Sequence, residues 1–410
     1  MKYARLILKI AALLLIGFVL YVNARLYDLP VCDPAEGGAL NVDVVKQLQF
    51  LKRQLHEGGA AEAMQQQYPE GFVFSHALYA LAWCDVTAVC RPESVRRQEG
   101  LREIAFSMDA LDAPAGKQVF SRELPLPYGA FYRGWTSYVR GKYLSLLPVD
   151  SRDTLVVQRF KADCREIAAA IIAHKQPYLE SYADAAWPAD NILCLAALSL
   201  HDRLFEPAFQ ELRKVWLERI RSALVAPNQM IPHAFDVQQN APDGGVRGSS
   251  QSLMLCFLPE IDSAFSEAQY QRFRSQFVGY QLGMPGVREY PKGDFGLGDI
   301  DSGPVLFGMG GAASVVGIRA AAQHRDWELA MPLYAGVNAL LMPTTNGQEK
   351  KYLLGTLPVL DAFMAWGSVG LCGCKDSALA DWRWKCQVIS LMIIGALGWG
   401  IRPFTNAGKA

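Results

Sequence analysis

Apolar stretches of helical length recur along this chain at a nearly constant interval. Anchored on Phe74, Gly134, Asp190, Ser249, Ser302 and Ala365, their starts fall 60, 56, 59, 53 and 63 residues apart. Each is followed by a more polar stretch with helical spacing, such as SVRRQEGLREIAFSMDAL after the first and PAFQELRKVWLERIRSAL after the third; WRWKCQVISLMIIGALG closes the series. No strand pattern longer than a few residues intervenes. Such a period, with one less polar and one more polar helix per unit, marks repeated helical hairpins. The less polar members, ILCLAALSL and GMGGAASVVGIRAAA among them, are hydrophobic on every side and need neighbours all round. The expected fold is therefore all-α. An open solenoid would suit the repeat equally well, but the small-residue-rich apolar helices favour closure into an (α/α)6 toroid over residues 41–404, with the six apolar helices inside. The series begins after an amphipathic helix at residues 41–56.

The first thirty residues, MKYARLILKIAALLLIGFVLYVNARLYDLP, place Lys2, Arg5 and Lys9 before or at the start of an apolar run from Ile10 to Val22. Leu6 to Leu8 extend that run if Lys9 snorkels. Val22, Asn23 and Ala24 make a poor cleavage site, so residues 1–26 read as a cytoplasmic tail and transmembrane signal anchor, with 27–40 as a connector; a cleaved signal peptide and an amphipathic or core helix are the alternatives. This predicts a single-pass inner-membrane protein with its main domain in the periplasm and the lipid bilayer as a partner of the N-terminal helix. The last apolar run, Val388 to Gly398, falls short of the roughly twenty residues of a span and reads as a final toroid helix or a membrane-resting edge.

Forty basic and forty acidic side chains leave no net charge, which gives no argument for a nucleic-acid partner. Nine cysteines are compatible with export. Cys84 with Cys90, and Cys372 or Cys374 with Cys386, are close enough in sequence for local bridges. A zinc site from Cys372, Cys374 and Cys386 would lack a nearby histidine.

Because the six apolar helices run in one direction, the loops that precede them converge on one mouth and aim their N-terminal dipoles at it. The richest of these loops lies in Gly286 to Ala322, GVREYPKGDFGLGDIDSGPVLFGMGGAASVVGIRAA. Asp299 and Asp301 are the first candidates for catalytic acid and base, since neighbouring carboxylates raise one another's pKa. Glu289, Asp190 and His76 are further catalytic candidates. Tyr68, Tyr128, Trp135, Tyr182, Trp187 and Tyr290 offer platforms for a sugar or apolar ring. Arg247 and Arg288, in the matching contexts GVRG and GVRE, suit an anionic group or hold the acids in place. Each has a structural counterpart: Asp301 or Ser302 caps a helix that starts at Pro304, Asp299 pairs with Arg288, Glu289 makes a loop salt bridge, Asp190 caps the ILCLAAL helix, and His76 is a satisfied buried histidine. Asp294, Asp299 and Asp301 form an alternative calcium loop. No metal or other cofactor is expected, and the oligomeric state is open.

Six helical pairs, glycine-rich polar linkers at one end and aromatic-acidic clusters resemble the (α/α)6 six-hairpin superfamily of glycoside hydrolases, polysaccharide lyases and sugar epimerases. The linalool dehydratase-isomerase fold looks the same in outline. The resemblance is one of architecture over about residues 41 to 404, without a matched catalytic motif, and implies an active cleft at the funnel mouth. The leading expectation is an exported, membrane-anchored hydrolase, lyase or epimerase acting on a small-molecule or glycan substrate by carboxylate acid-base chemistry. The alternatives are a lyase or dehydratase for a small apolar alcohol such as a terpenoid, and a non-catalytic envelope protein that binds a glycan.

Overall fold

A computed structural model describes residues 2–34, 40–299, 302–374 and 382–400. In chain order the helices are α1 (Lys2–Arg25), α2 (Val42–His56), α3 (Ala60–Gln67), α4 (Gly71–Val89), α5 (Val95–Asp112), α6 (Pro114–Lys117), α7 (Gly129–Ser145), α8 (Thr154–Ala173) and α9 (Pro188–Leu204). They continue as α10 (Gln210–Ser222), α11 (Gly248–Leu255), α12 (Leu258–Ile261), α13 (Ser263–Phe277), α14 (Gly311–Gln323), α15 (Trp327–Leu340), α16 (Pro358–Ser368) and α17 (Arg383–Gly400). Strand among the described residues is confined to five two-stranded antiparallel ribbons: β1 (Cys32–Asp33) with β2 (Leu40–Asn41), β3 (Ala234–Asp236) with β4 (Ala241–Asp243), β5 (Val278–Gln281) with β6 (Met284–Val287), β7 (Val305–Leu306) with β8 (Met309–Gly310), and β9 (Thr344–Thr345) with β10 (Lys350–Lys351). The protein is all-helical.

The two helix classes differ in how they begin. The polar helices α2, α5, α8, α13 and α15 start from Asn41, Ser94, Asp153, Asp262 and Asp326, whose side chains accept amide hydrogen bonds from the first turn. None of the six apolar helices α4, α7, α9, α11, α14 and α16 carries such a cap. Side-chain capping thus belongs to the polar layer, where α10 goes without it, and Asp190 does not cap α9 as expected. The fifth apolar helix also begins at Gly311 rather than Pro304. Phe307 and Gly308 take positive φ, which folds 305–310 into the β7–β8 ribbon before the helix starts.

Burial follows the hydropathy. Every residue of α9 from Pro188 to Asp202 is buried, as is most of α4 and α7. The apolar helices touch one another in a definite order: α4 packs on α7, α7 on α9, α9 on α11, α11 on α14, α14 on α16, and α16 on α4. Aromatic rings join non-consecutive members. Trp135 of α7 lies 6.3 Å from Trp366 of α16, and Phe257, just after α11, lies 5.8 and 5.7 Å from the two. Phe74 of α4 meets Phe363 of α16 at 5.2 Å.

The chain ends depart from expectation. The polar partner of α16 is α2, from the start of the chain, while α17 packs on α1. A disulfide joins Cys32 to Cys372 across 340 residues and ties the connector to the end of α16. Cys84 and Cys386 are free buried thiols, so neither local bridge forms, and Cys372 is not available to zinc. Along a helix six residues rise about 9 Å, beyond the reach of a disulfide, which accounts for Cys84 and Cys90. Closing so long a loop restricts the unfolded chain strongly; Cys32→Ser should destabilise the full chain by about 2–4 kcal/mol. Thermal unfolding with and without reductant checks this: reductant should lower the wild-type midpoint and leave the variant's unchanged.

Among the described residues, two helices are by length and composition alone long and apolar enough to cross a membrane. One is α4, 78% buried within the body as a core helix; the other, Tyr3–Arg25 of α1, is 6% buried.

Candidate functional site

Backbone hydrogen bonds tie the loops before the apolar helices to one another. Ala130 N–H at the start of α7 donates to Glu180 O in the loop before α9, at 2.9 Å. Phe235 N–H of β3 donates to Ala186 O of that loop at 2.9 Å, and Gly248 N–H at the start of α11 donates to Glu289 O at 2.8 Å. Tyr182 donates its hydroxyl to Glu70, the residue before α4. The N-terminal ends of α4, α7, α9 and α11 and the loop leading to α14 are therefore contiguous.

Arg247 is the hub of the charged side of this region. Gly248 lets its backbone lie against the chain at Arg288, since a Cβ there would stand 1.9 Å from Arg288 O. The buried guanidinium donates from Nε to Glu289 Oε1 at 2.8 Å, and from its two terminal nitrogens to the carboxylate of Asp299, with Nη2 to Oδ1 at 3.1 Å. It lies 5.6 Å from the Tyr290 ring centroid. Glu289 is fully buried and also accepts from Ser249 Oγ at 2.7 Å. Asp299, with its side chain 45% exposed, also accepts from Ser302 N–H at 3.0 Å.

The two carboxylates consequently differ. Burial raises the pKa of Glu289 above its ordinary value, with Ser249 and Arg247 offsetting only part of that. Partial burial would raise Asp299 too, but hydrogen bonds from Arg247 and the Ser302 amide outweigh it and take Asp299 below the ordinary value. Burial also opposes the charge of Arg247, and the two acids more than restore it.

His233 stands beside this pair at the root of the β3–β4 ribbon. Burial and then the Arg247 charge lower its pKa to about 4, so it is neutral at pH 7. Its Nε2 faces Arg247 Nη1 at 3.5 Å, and its Nδ1 lies 2.6 Å from Ser250 Oγ. Arginine has only donors, so Nε2 is the acceptor and Nδ1 carries the proton. His233 therefore donates to Ser250 and does not serve it as a base.

The opposite side is aromatic. Tyr182 lies 5.6 Å from Trp187 and 5.7 Å from Phe120. Tyr128, in a left-handed conformation at the start of α7, lies 5.6 Å from Tyr132. Trp135 is buried in the aromatic core below. Tyr68 is half-buried and points its hydroxyl at Met64 Sδ, 3.7 Å away.

The remaining sequence candidates are placed as follows. Asp190 is buried in the first turn of α9 and accepts from Ser181 Oγ at 2.6 Å. His76 is buried on the α5 side of α4, 5.6 Å from Phe106, with its pKa lowered to about 4 by burial. Arg288 donates to the backbone carbonyls of Tyr290 and Asp294 at 3.2 Å, and Asp299 takes Arg247 as its partner instead. Asp301 lies outside the described residues. Among the described residues no group of three His, Cys, Asp or Glu side chains is arranged to hold a metal. No protein-family model matches the chain, and a search of curated proteins returned no match.

One cluster escaped sequence reasoning. His56 Nε2 lies 2.7 Å from Glu103, which also accepts from Tyr79 at 3.0 Å and pairs with Lys52 at 3.1 Å. It borders a cleft of about 750 Å³ between α2 and the β9–β10 turn. Its sequence signal was present as Lys52 and His56 on α2 facing Glu99 and Glu103 on α5, each pair four residues apart. The network ties two polar helices together.

Proposed function

We propose that the protein is an envelope enzyme, anchored in the inner membrane by α1 with its body in the periplasm, that performs carboxylate acid-base chemistry on a carbohydrate at a loop-lined mouth. In this reading the (α/α)6 toroid expected over residues 41–404 has as its inner ring the closed order of contacts among α4, α7, α9, α11, α14 and α16, and α17 is not one of its members. The unusual position of α2 as partner of α16 supports that closure, because it lets the first polar helix complete the last unit.

The observation that carries the reading is Asp299. It is a partly exposed carboxylate held ionised by Arg247 and the Ser302 amide, in the same loop assembly as the Glu70–Tyr182 pair and Trp187. An ionised carboxylate fixed in direction suits a base or nucleophile, Glu70 with Tyr182 suits proton transfer, and Trp187 suits stacking on a sugar. Glu289, fully buried behind Arg247, has a positioning role. Asp299→Asn should lower turnover by about 10²–10⁴-fold on whichever glycan of a panel the wild type processes, with binding retained. Unchanged turnover in that variant would sink the assignment.

A second reading, a lyase or dehydratase for an apolar alcohol, draws on the aromatic core formed by Phe74, Phe131, Trp135, Phe363 and Trp366. Running terpenoid alcohols beside the glycans separates the two. Binding of a glycan without turnover of either class points to a non-catalytic carrier.

A further inference from the structure

We infer that α17 crosses the bilayer beside α1 as the second leg of an antiparallel helical hairpin, with lipid hydrocarbon covering the apolar faces that it leaves exposed. The inference rests on α1 being the membrane anchor proposed above.

The seam between the two helices sets their direction. Val22 and Leu26, at the end of α1, pack against Cys386 in the first turn of α17. Arg383 Nε donates to Leu26 O at 2.9 Å, and Asn23 Nδ2 donates to Ser390 Oγ at 2.7 Å. The end of one helix thus lies beside the start of the other. Ten residues on from Ser390 is Gly400 and ten back from Asn23 is Leu13, so the helices run side by side for most of α17. A hydrogen bond between Asn and Ser across an otherwise apolar seam is a common way of holding membrane helices together.

Away from the seam, α17 has no polar face. Val388, Leu391, Met392 and Trp399 are 47, 69, 61 and 77% exposed. No charged residue occurs between Lys385 and Arg402, and neither helix contains an acid. A helix lying in the interface would present a charged side to water. In water such a surface, continuous with that of α1, would be an aggregation site. In a bilayer it is solvated.

The ends agree, and the length requires local thinning of the bilayer: with Arg383 and Lys385 at headgroup level, the uncharged stretch from Cys386 to Gly400 spans about 22 Å, against about 30 Å of hydrocarbon. The base of the hairpin carries a collar of aromatic and cationic side chains: Arg383 over Tyr27 and Trp382 at 4.9 and 5.2 Å, Arg25 over Tyr21 at 5.4 Å, and Lys385 over Trp384 at 5.7 Å. That composition belongs at headgroup level. Trp399 marks the other end. The body does not need α17, because α2 covers α16.

Glycosylation mapping of the full chain in microsomes tests this. The sequence holds no Asn-X-Ser/Thr acceptor. Val149→Asn creates one, ahead of Asp150 and Ser151, at an exposed site of the body. A second acceptor is carried on a hydrophilic extension after Ala410. The expected result is one glycan, on the body site alone. Two glycans would overturn the inference and leave the α1 anchor standing, with a second copy of the chain as the cover for α17. No glycan on either site would sink the anchor reading together with the hairpin. Leu391→Arg combined with Met392→Arg, at exposed positions, should convert one glycan to two; an unchanged pattern would also count against a lipid-facing α17.

Discussion

Arg247→Ala should lower the unfolding free energy of the full chain in detergent by about 3–5 kcal/mol at neutral pH, because it strands a buried charge. Glu289 is fully buried, and Arg247 is the cation that it touches. Ser249 would still donate to it, but a hydroxyl does not replace a countercharge. The pH dependence identifies the cause. Glu289 already has a pKa raised above 4.5 by burial, and loss of Arg247 raises it further. A carboxyl that holds its proton more tightly when folded makes stability fall as pH rises from its unfolded value toward its folded one. The deficit should therefore be small below about pH 4.5 and reach full size at higher pH. Urea denaturation at several pH values reads it, and Glu289→Gln should recover part of the loss in the Arg247→Ala background. A deficit independent of pH would mean that lost packing, not the stranded carboxylate, sets the cost.

Asp361 should impose a second, broader pH dependence. It sits in the first turn of α16, fully buried, where Oδ1 accepts from Tyr352 N–H at 2.8 Å and Oδ2 has no hydrogen-bond partner among the described residues. Burial raises its pKa from 3.8 to about 8, against smaller opposing effects of the Tyr352 amide and Lys351. The folded protein holds this proton and the unfolded chain releases it across the intervening range. Stability is greatest below pH 3.8, falls through the window, and levels off above about pH 8. The slope is about 1.4 kcal/mol per pH unit, so the whole effect is on the order of 5 kcal/mol. Asp361→Asn removes the proton and should flatten this component. Subtracting the variant's stability curve from the wild type's cancels the groups that they share. Parallel curves would show that Asp361 ionises alike in both states.

Much of the helical layout was legible because it depends on local pattern. Periodicity located α4, α7 and α9, and their all-round hydropathy matched their all-round burial. The start of α14 was less legible. Pro304 and the cap-forming residues before it are good helix openers, yet the backbone at Phe307 and Gly308 makes a turn first. The site shows the same divide. GVRG and GVRE are locally equivalent, and nothing near either decides which arginine meets Asp299. Arg247 does so from 52 positions away, because Gly248 brings its strand against Arg288.

The sequence by itself determined the all-helical class, the order of alternating apolar and polar helices, and an N-terminal helix apolar enough to cross a membrane. Hydropathy and backbone preference act over one or two turns, so they are written into neighbouring residues. Tertiary structure alone decided that α2 rather than α17 covers α16, that Cys32 joins Cys372, that Arg247 rather than Arg288 holds two acids, and that α17 lies along α1. Those outcomes depend on which surfaces meet when segments tens to hundreds of residues apart are packed together, and no local pattern encodes them.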